Sequence, residues 1–406
     1  MYFQRKNTTF TNQTKKVIMR EKIIEIILQK KTFTIMDIAE ASGKSVPYVS
    51  VLMKEFLREG LVEELSSLDT GRKGRRPGLF RVRPSHAYYL GVDVKAFGLI
   101  IGLMDFQGEM VRIERIQDFV YENTHSCFND VCDRVQGFLA GLDPDIRARL
   151  AAINFCLGGR VDSLHGASAS VFNFEETYAT PLSEMLKDIF SVPVSLINDT
   201  KAMAYGEYYS SAAPGVKNVL FANVGWGLGL GIILDGSLYY GHNGYSGEMG
   251  HYPYYNNKIL CHCGKMGCIE TEVSLQAIRR KLIERIRQGE NSILSSKVLS
   301  TSTITVRDIL GAVEKEDPLC IELISWTGSE LGRHLAGMIN LFNPESIIIG
   351  GTLTEVPSYY FLQSVILSVR KYALRLISQN VTIAASSLGD TAGVVGACLI
   401  ARKDHS

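Results

Sequence analysis

The chain has 406 residues, enough for two or three domains, and 46% of them are apolar, which permits sizeable cores and excludes wholesale disorder. No apolar run approaches the length of a membrane span, and the opening MYFQRKNTTF has no signal-peptide core. A cytoplasmic protein with no membrane insertion is therefore expected. The net charge of +1 conceals an asymmetry: residues 1–86 hold 17 Lys+Arg against 9 Asp+Glu, and the remainder holds 26 against 33. A basic head on an acidic body points to a polyanion partner for the head alone.

Residues 1–14 read as an N-terminal arm and 15–84 as a winged helix-turn-helix. Ile23, Ile24, Ile27 and Leu28 share one helical face. A second helix opens at Thr34, with Asp37 three residues on in a capping-box arrangement, and stops near Gly43. A third starts at Ser45, tolerates Pro47 in its first turn, and carries the stripe Val49, Leu52, Met53, Phe56 and Leu57 up to Gly60. The short link between helices two and three makes the third a recognition helix for the major groove of double-stranded operator DNA. Lys44, Ser45, Tyr48 and Ser50 are its candidate contacts, being donors to phosphates or base edges. Leu61–Leu65 and Leu79–Arg83 read as strands of a wing. Its tip carries Arg72, Lys73, Arg75 and Arg76 among glycines, a composition suited to phosphates or a narrow minor groove.

Beyond residue 88 the pattern becomes strand, strand, tight turn, strand: YYLGVDVK, GLIIGLMD and EMVRIERI. The same order returns at 217–240 as KNVLFANV, LGLGIILD and SLYY. Helical stretches fall near 126–141, 181–190, 199–209, 272–288 and 319–342. Two copies of one meander imply a duplicated α/β lobe with a ligand-binding cleft between the copies. Three of the eight cysteines crowd into 261–268, which in a reducing compartment suggests a metal rather than disulfides. Either His251 or His262 is placed to join them.

NDTKAMAYGE at 198–207, GEMGH at 247–251 and CHCGKMGCIE at 261–270 resemble the ROK family (repressors, open reading frames, kinases). The resemblance runs from about residue 88 to the C-terminus, and with the winged head the chain looks like the NagC/XylR-type repressor branch. It implies an actin-like, sugar-kinase (ribonuclease H-like) body. A first lobe would span 88–198 and a second 199–388, with a C-terminal helix at 389–406 returning to the first lobe. It implies that His251, Cys261, Cys263 and Cys268 hold a structural Zn2+, choosing His251 over His262. It places Asn198, Asp199, Glu248, His251 and Glu270 in a sugar pocket. Gly159 and Arg160 match the family's Gly-x-Val-Asp loop, and Asn173 is a further candidate just downstream. Arg160 and the polar residues near Asn173 hint at a substituted ring such as an N-acetylated amino sugar.

In the family's kinases Asp199 would be the general base for phosphoryl transfer from ATP. Such kinases carry a Gly-Gly-Thr-type turn after the first strand's Asp. Here Asp93 is followed by Val94-Lys95-Ala96-Phe97. The second phosphate turn is Gly225-Trp226-Gly227, with an indole where a small hydroxyl residue is usual. Lys95 and Gly350-Gly351 remain as possible nucleotide contacts. The expectation is a sugar-responsive DNA-binding repressor, not an enzyme, with Asp199 as a vestigial base. It would take a sugar or sugar phosphate as effector and act as a homodimer or homotetramer; an ATP-dependent sugar kinase is the alternative.

Overall fold

The computed structural model describes residues 12–28, 30–65, 78–211, 215–301 and 303–405. The head comprises α1 (Asn12–Leu28), α2 (Ile35–Ser42) and α3 (Val46–Glu59), then the antiparallel strands β1 (Val62–Leu65) and β2 (Leu79–Val82). Thr34 and Asp37 close the capping box reciprocally: Thr34 N donates to Asp37 Oδ2 at 2.7 Å and Asp37 N to Thr34 Oγ1 at 3.2 Å. Ile23, Ile27, Ile38, Val49, Leu52, Phe56, Val62 and Val82 bury one core. The wing-tip residues Arg72, Lys73, Arg75 and Arg76 lie outside the described residues.

The body is built on two sheets of one design. In the first, β3 (Tyr88–Lys95), β4 (Gly98–Asp105), β5 (Met110–Ile116), β6 (Leu150–Leu157) and β7 (Val194–Asn198) run in the order β5-β4-β3-β6-β7. The second repeats this with β8 (Val219–Val224), β9 (Leu228–Leu234), β10 (Ser237–Leu238), β11 (Ser346–Gly350) and β12 (Thr382–Ala385) in the order β10-β9-β8-β11-β12. In both, the three meander strands pair antiparallel and the last two join in parallel. This doubled sheet is the mixed α/β, actin-like architecture. The SLYY segment contributes only Ser237 and Leu238 as strand, because Ser246 captures the Tyr239 carbonyl through Oγ and the Tyr240 carbonyl through its amide.

Helices fill three layers. α4 (His125–Ala140) and α5 (Leu182–Phe190) cover the outer face of the first sheet through Phe128, Val131, Val135, Leu182 and Leu186. α7 (Leu275–Arg287), α8 (Pro318–Phe342) and α9 (Leu362–Tyr372) cover the outer face of the second. Between the sheets lie α6 (Asp199–Ser211), packed on β8 and β9, and α10 (Ala392–His405), packed on β3, β4 and β6. These two pack together because glycine lets their backbones touch: a Cβ on Gly396 would stand 1.8 Å from the Ala202 carbonyl oxygen, and one on Gly206 2.6 Å from that of Ala392.

Head and body share apolar packing. Tyr89, Phe106, Ala152 and Ala401 belong to the same buried cluster as the head's Ile27 and Phe56. Phe106 N donates to the Pro84 carbonyl at 3.0 Å, and the His86 ring meets Phe106 edge-on. Arg402, near the end of α10, donates to the Phe106 carbonyl at 3.3 Å. Among the described residues no helix is long and apolar enough to cross a membrane.

Candidate functional site

β7 ends at Asn198 and α6 starts at Asp199, so both residues sit at a strand-to-helix corner whose next residue, Thr200, packs against Gly229 of β9. Asn198 Nδ2 donates to the Gly159 carbonyl at 2.9 Å and to Asp199 Oδ1 at 3.0 Å. Asp199 Oδ1 also accepts from Thr200 N at 2.6 Å and Thr200 Oγ1 at 3.2 Å. Oδ2 has no hydrogen bond among the described residues and points toward Gly158. Burial pushes the Asp199 carboxyl up to about 6, helped by the Asp93 and Glu248 carboxylates and opposed by the Thr200 donors.

Lys201 escaped the sequence reading. It is 3% exposed, and Nζ donates to the Ser246 carbonyl at 2.9 Å. Burial lowers its pKa, against the raising effect of Glu248 and Asp199. It fastens the turn that carries Glu248 to the helix that carries Asp199. The available signal was a cation directly before the apolar stretch AMAY of α6.

The Gly159 turn has φ +74°, and a Cβ there would strike Ser170 at 2.6 Å. Arg160 is exposed, with N and Nε on Ser170 Oγ at 3.1 and 3.3 Å. Asn173 is not brought into this cluster by any side-chain contact; its backbone is clamped by Asn123 at 3.1 and 3.3 Å.

The second wall is the cysteine loop. His251, Cys261, Cys263 and Cys268 each offer a ligand atom within 4.8 Å of the others and can together hold a metal ion. His251 Nδ1 lies 3.5 Å from Cys261 Sγ, and Cys263 Sγ lies 3.6 Å from Cys268 Sγ. The other ring nitrogen, Nε2, lies 3.7 Å from Glu248 Oε2, so one imidazole faces the sulfurs on one side and the cleft carboxylate on the other. Glu270 is 6% exposed and accepts from Leu228 N at 2.9 Å through Oε2. Its Oε1 lies 2.9 Å from His262 Nδ1. His251, His262 and Glu270 form a second group of ligand-type atoms within 4.8 Å.

The two turns that depart from the kinase pattern touch each other. The Phe97 ring meets the Trp226 ring edge to face, with centroids 5.1 Å apart. Lys95 Nζ is spent on the Asp390 carbonyl at 2.7 Å and on Asp93 at 3.5 Å. Arg115 clasps the Asp390 carboxylate at 2.7 and 3.2 Å. Gly351 packs where a Cβ would lie 2.6 Å from Asn223 Oδ1 and from the Val224 carbonyl oxygen, so a tight contact with β8 accounts for it.

On the head, Lys44 and Ser45 are exposed at the start of α3, and Tyr48 and Ser50 are half-buried beside them. The Ser50 hydroxyl donates back to the Val46 carbonyl at 2.8 Å. The four residues therefore share one end of one helix.

The ROK family model matches residues 89–404. The xylose repressor of Caldicellulosiruptor bescii is 26% identical over 401 residues, covering 98% of each chain. The glucokinase of Halalkalibacterium halodurans is 26% identical over 323 residues, which is 79% of this chain and 97% of the enzyme. A crystal structure of a ROK family transcriptional regulator, a homolog of the Escherichia coli MLC protein, superposes with a TM-score of 0.78 at 27% identity, covering 95% of each chain.

Proposed function

The chain belongs to the ROK family, and from that premise we propose that it is a sugar-responsive transcriptional repressor rather than an enzyme. One observation carries this reading. A helix-turn-helix head shares an apolar core with the body, and in that body the two turns that depart from the kinase pattern meet through Phe97 and Trp226. The similarity to a xylose repressor spans head and body, whereas that to a glucokinase spans 79% of this chain.

In this reading residues 15–84 grip operator DNA. Lys44, Ser45, Tyr48 and Ser50 enter the major groove, and Arg72, Lys73, Arg75 and Arg76 lie along the backbone or minor groove. The sugar or sugar phosphate sits between the lobe at 88–198 and the lobe at 199–388. Asn198 and Asp199 meet it from one side, with Gly159 and Arg160 near its rim. Glu248, His251 and Glu270 meet it from the other. The residues 389–406 serve the first lobe. A homodimer or homotetramer in the cytoplasm would bind a pseudo-palindromic operator. The ligand acts by favouring one lobe arrangement over the other, a coupling of about 1–3 kcal/mol in comparable systems.

The donor set suits a structural zinc. A tetrahedral ion with Zn–S of about 2.3 Å and Zn–N of about 2.0 Å needs donor separations of roughly 3.5–3.8 Å, the spacing found here at 3.5 and 3.6 Å. Three thiolates and His251 Nδ1 leave no open position, so the ion's contribution would be to tie down the loop bearing Glu248 and Glu270.

The retained Asp199, with its free Oδ2 and raised pKa, favours the kinase as the second reading. Anisotropy of a labelled operator should show binding that a sugar from a hexose, pentose and N-acetylhexosamine panel releases. A coupled ADP assay with the same panel should stay at background. Sugar-dependent ADP release without operator binding would reverse the assignment.

A further inference from the structure

His262 sits between two cysteines of the metal cluster, yet its ring faces elsewhere. Nδ1 lies 2.9 Å from Glu270 Oε1 and 3.8 Å from Cys261 Sγ. The ring stands edge-on to His251, with centroids 5.0 Å apart. Its side chain is 57% exposed, whereas that of Glu270 is 7% exposed.

Glu270 is held from three directions. Leu228 N takes one oxygen, His262 takes the other, and the bare backbone of Gly227 lies against Oε2, where a Cβ would approach to 2.5 Å. A buried carboxylate needs such donors, and losing one leaves the group free to turn. The backbone donor is independent of side-chain identity. Cys261 Sγ also lies 3.8 Å from Oε1, so the imidazole, at 2.9 Å, is the closer of the two side chains that meet this carboxylate's second oxygen.

We propose that His262 is a positioning residue of the sugar site: it fixes Glu270 so that its remaining lone pairs meet a ring hydroxyl. The ligand class that follows is a polyol ring with a free hydroxyl at the Glu270 position. This rests on the sugar-site reading above and adds a residue to it. The role belongs to geometry rather than to metal binding, since the four-donor set is complete without His262.

The experiment uses the full chain, zinc analysis, and calorimetric titration with glucose, xylose and N-acetylglucosamine. His262→Ala should weaken the tightest-binding sugar about tenfold or more, the usual effect of deleting a hydrogen bond to a charged group. His262→Asn, which keeps a donor near the Nδ1 position, should restore affinity to within about threefold. Zinc should remain at one per chain in both. In a Glu270→Gln background, His262→Ala should add almost nothing. Unchanged affinity in His262→Ala, additive losses in the double variant, or a fall in zinc would each overturn the proposal. If no sugar binds the wild type, the parent reading fails and His262 is judged by its ring 15N shifts at pH 8. An Nδ1–H signature that disappears in Glu270→Gln supports the pairing, and its absence in the wild type rejects it.

Discussion

Phe97, on the turn after the first strand of one lobe, packs edge to face on Trp226, on the corresponding turn of the other, with ring planes at 82°. The two positions where a kinase would cradle phosphates instead bridge the lobes. Phe97 is still 54% exposed, so solvent reaches this contact. The chain has only two tryptophans. With Trp326→Phe as background, Trp226 alone reports on the cleft. Phe97→Ala should red-shift its emission and increase acrylamide quenching, and a bound sugar should change both in the parent. Identical quenching in the two proteins would mean that the rings do not meet in solution.

Glu248 lies near enough to Asp199 for its charge to raise the Asp199 pKa, and in the proposed function both residues meet the sugar. Replacing either, as Asp199→Asn or Glu248→Gln, should abolish sugar release of the operator and leave operator affinity within about twofold, since neither touches the head. A response retained in both variants would misplace the pocket.

The pH dependence of Asp199 has a defined sign. Its carboxyl is raised from 3.8 to about 6, so the folded state binds more protons between those values and this group's contribution to stability falls as pH rises through that window. A ligand hydroxyl donating to Oδ2 favours the ionised form. Sugar affinity should therefore drop below pH 6 in the wild type and stay flat in Asp199→Asn, as calorimetry across pH 5–8 would read.

His334 works in the opposite sense. Tyr255 Oη donates to Glu330 at 2.5 Å and lies 2.9 Å from His334 Nε2, so the imidazole serves as the donor to the phenol. Burial lowers its pKa from 6.5 to about 4. The folded state then binds fewer protons in that interval, and stability is lost as pH falls through it. Urea midpoints of His334→Gln should decline less steeply than those of the wild type between pH 6.5 and 4.

Cys263→Ser should reduce bound zinc below one per chain and loosen the loop at 251–270 before the rest of the body melts. Full zinc occupancy, or hydrogen exchange in that loop unchanged from the wild type, would reject the ligand assignment.

Much of this molecule was legible in its residues. The capping pair Thr34 and Asp37, the stripe of α3 and the repeated meander appear where alternation and turn chemistry place them, because those signals are local. The edge strand at 237–240 was overestimated: Ser246, six residues beyond Tyr240, takes the carbonyls that a ladder would use. The hairpin formed by Val161–Asp162 and Ala167–Ser168 and the edge strand Thr382–Ala385 are too short or too polar to announce themselves. Lys201 was missed because its partner, Ser246, is 45 residues away. The same distance effect concealed the Phe97–Trp226 contact, although each residue stood out alone as a departure from the phosphate-turn pattern.

In its first turn helix α10 sets Gly393 against the Asp93 carboxylate, where a Cβ would approach Oδ2 to 2.3 Å, and near its other end it places Ala401 inside the core that Ile27 and Phe56 fill. A ribosome delivers residue 401 long after the residues it must join. Until then the DNA-reading part lacks a piece of its own interior, so a nascent or truncated chain should be slow to occupy an operator.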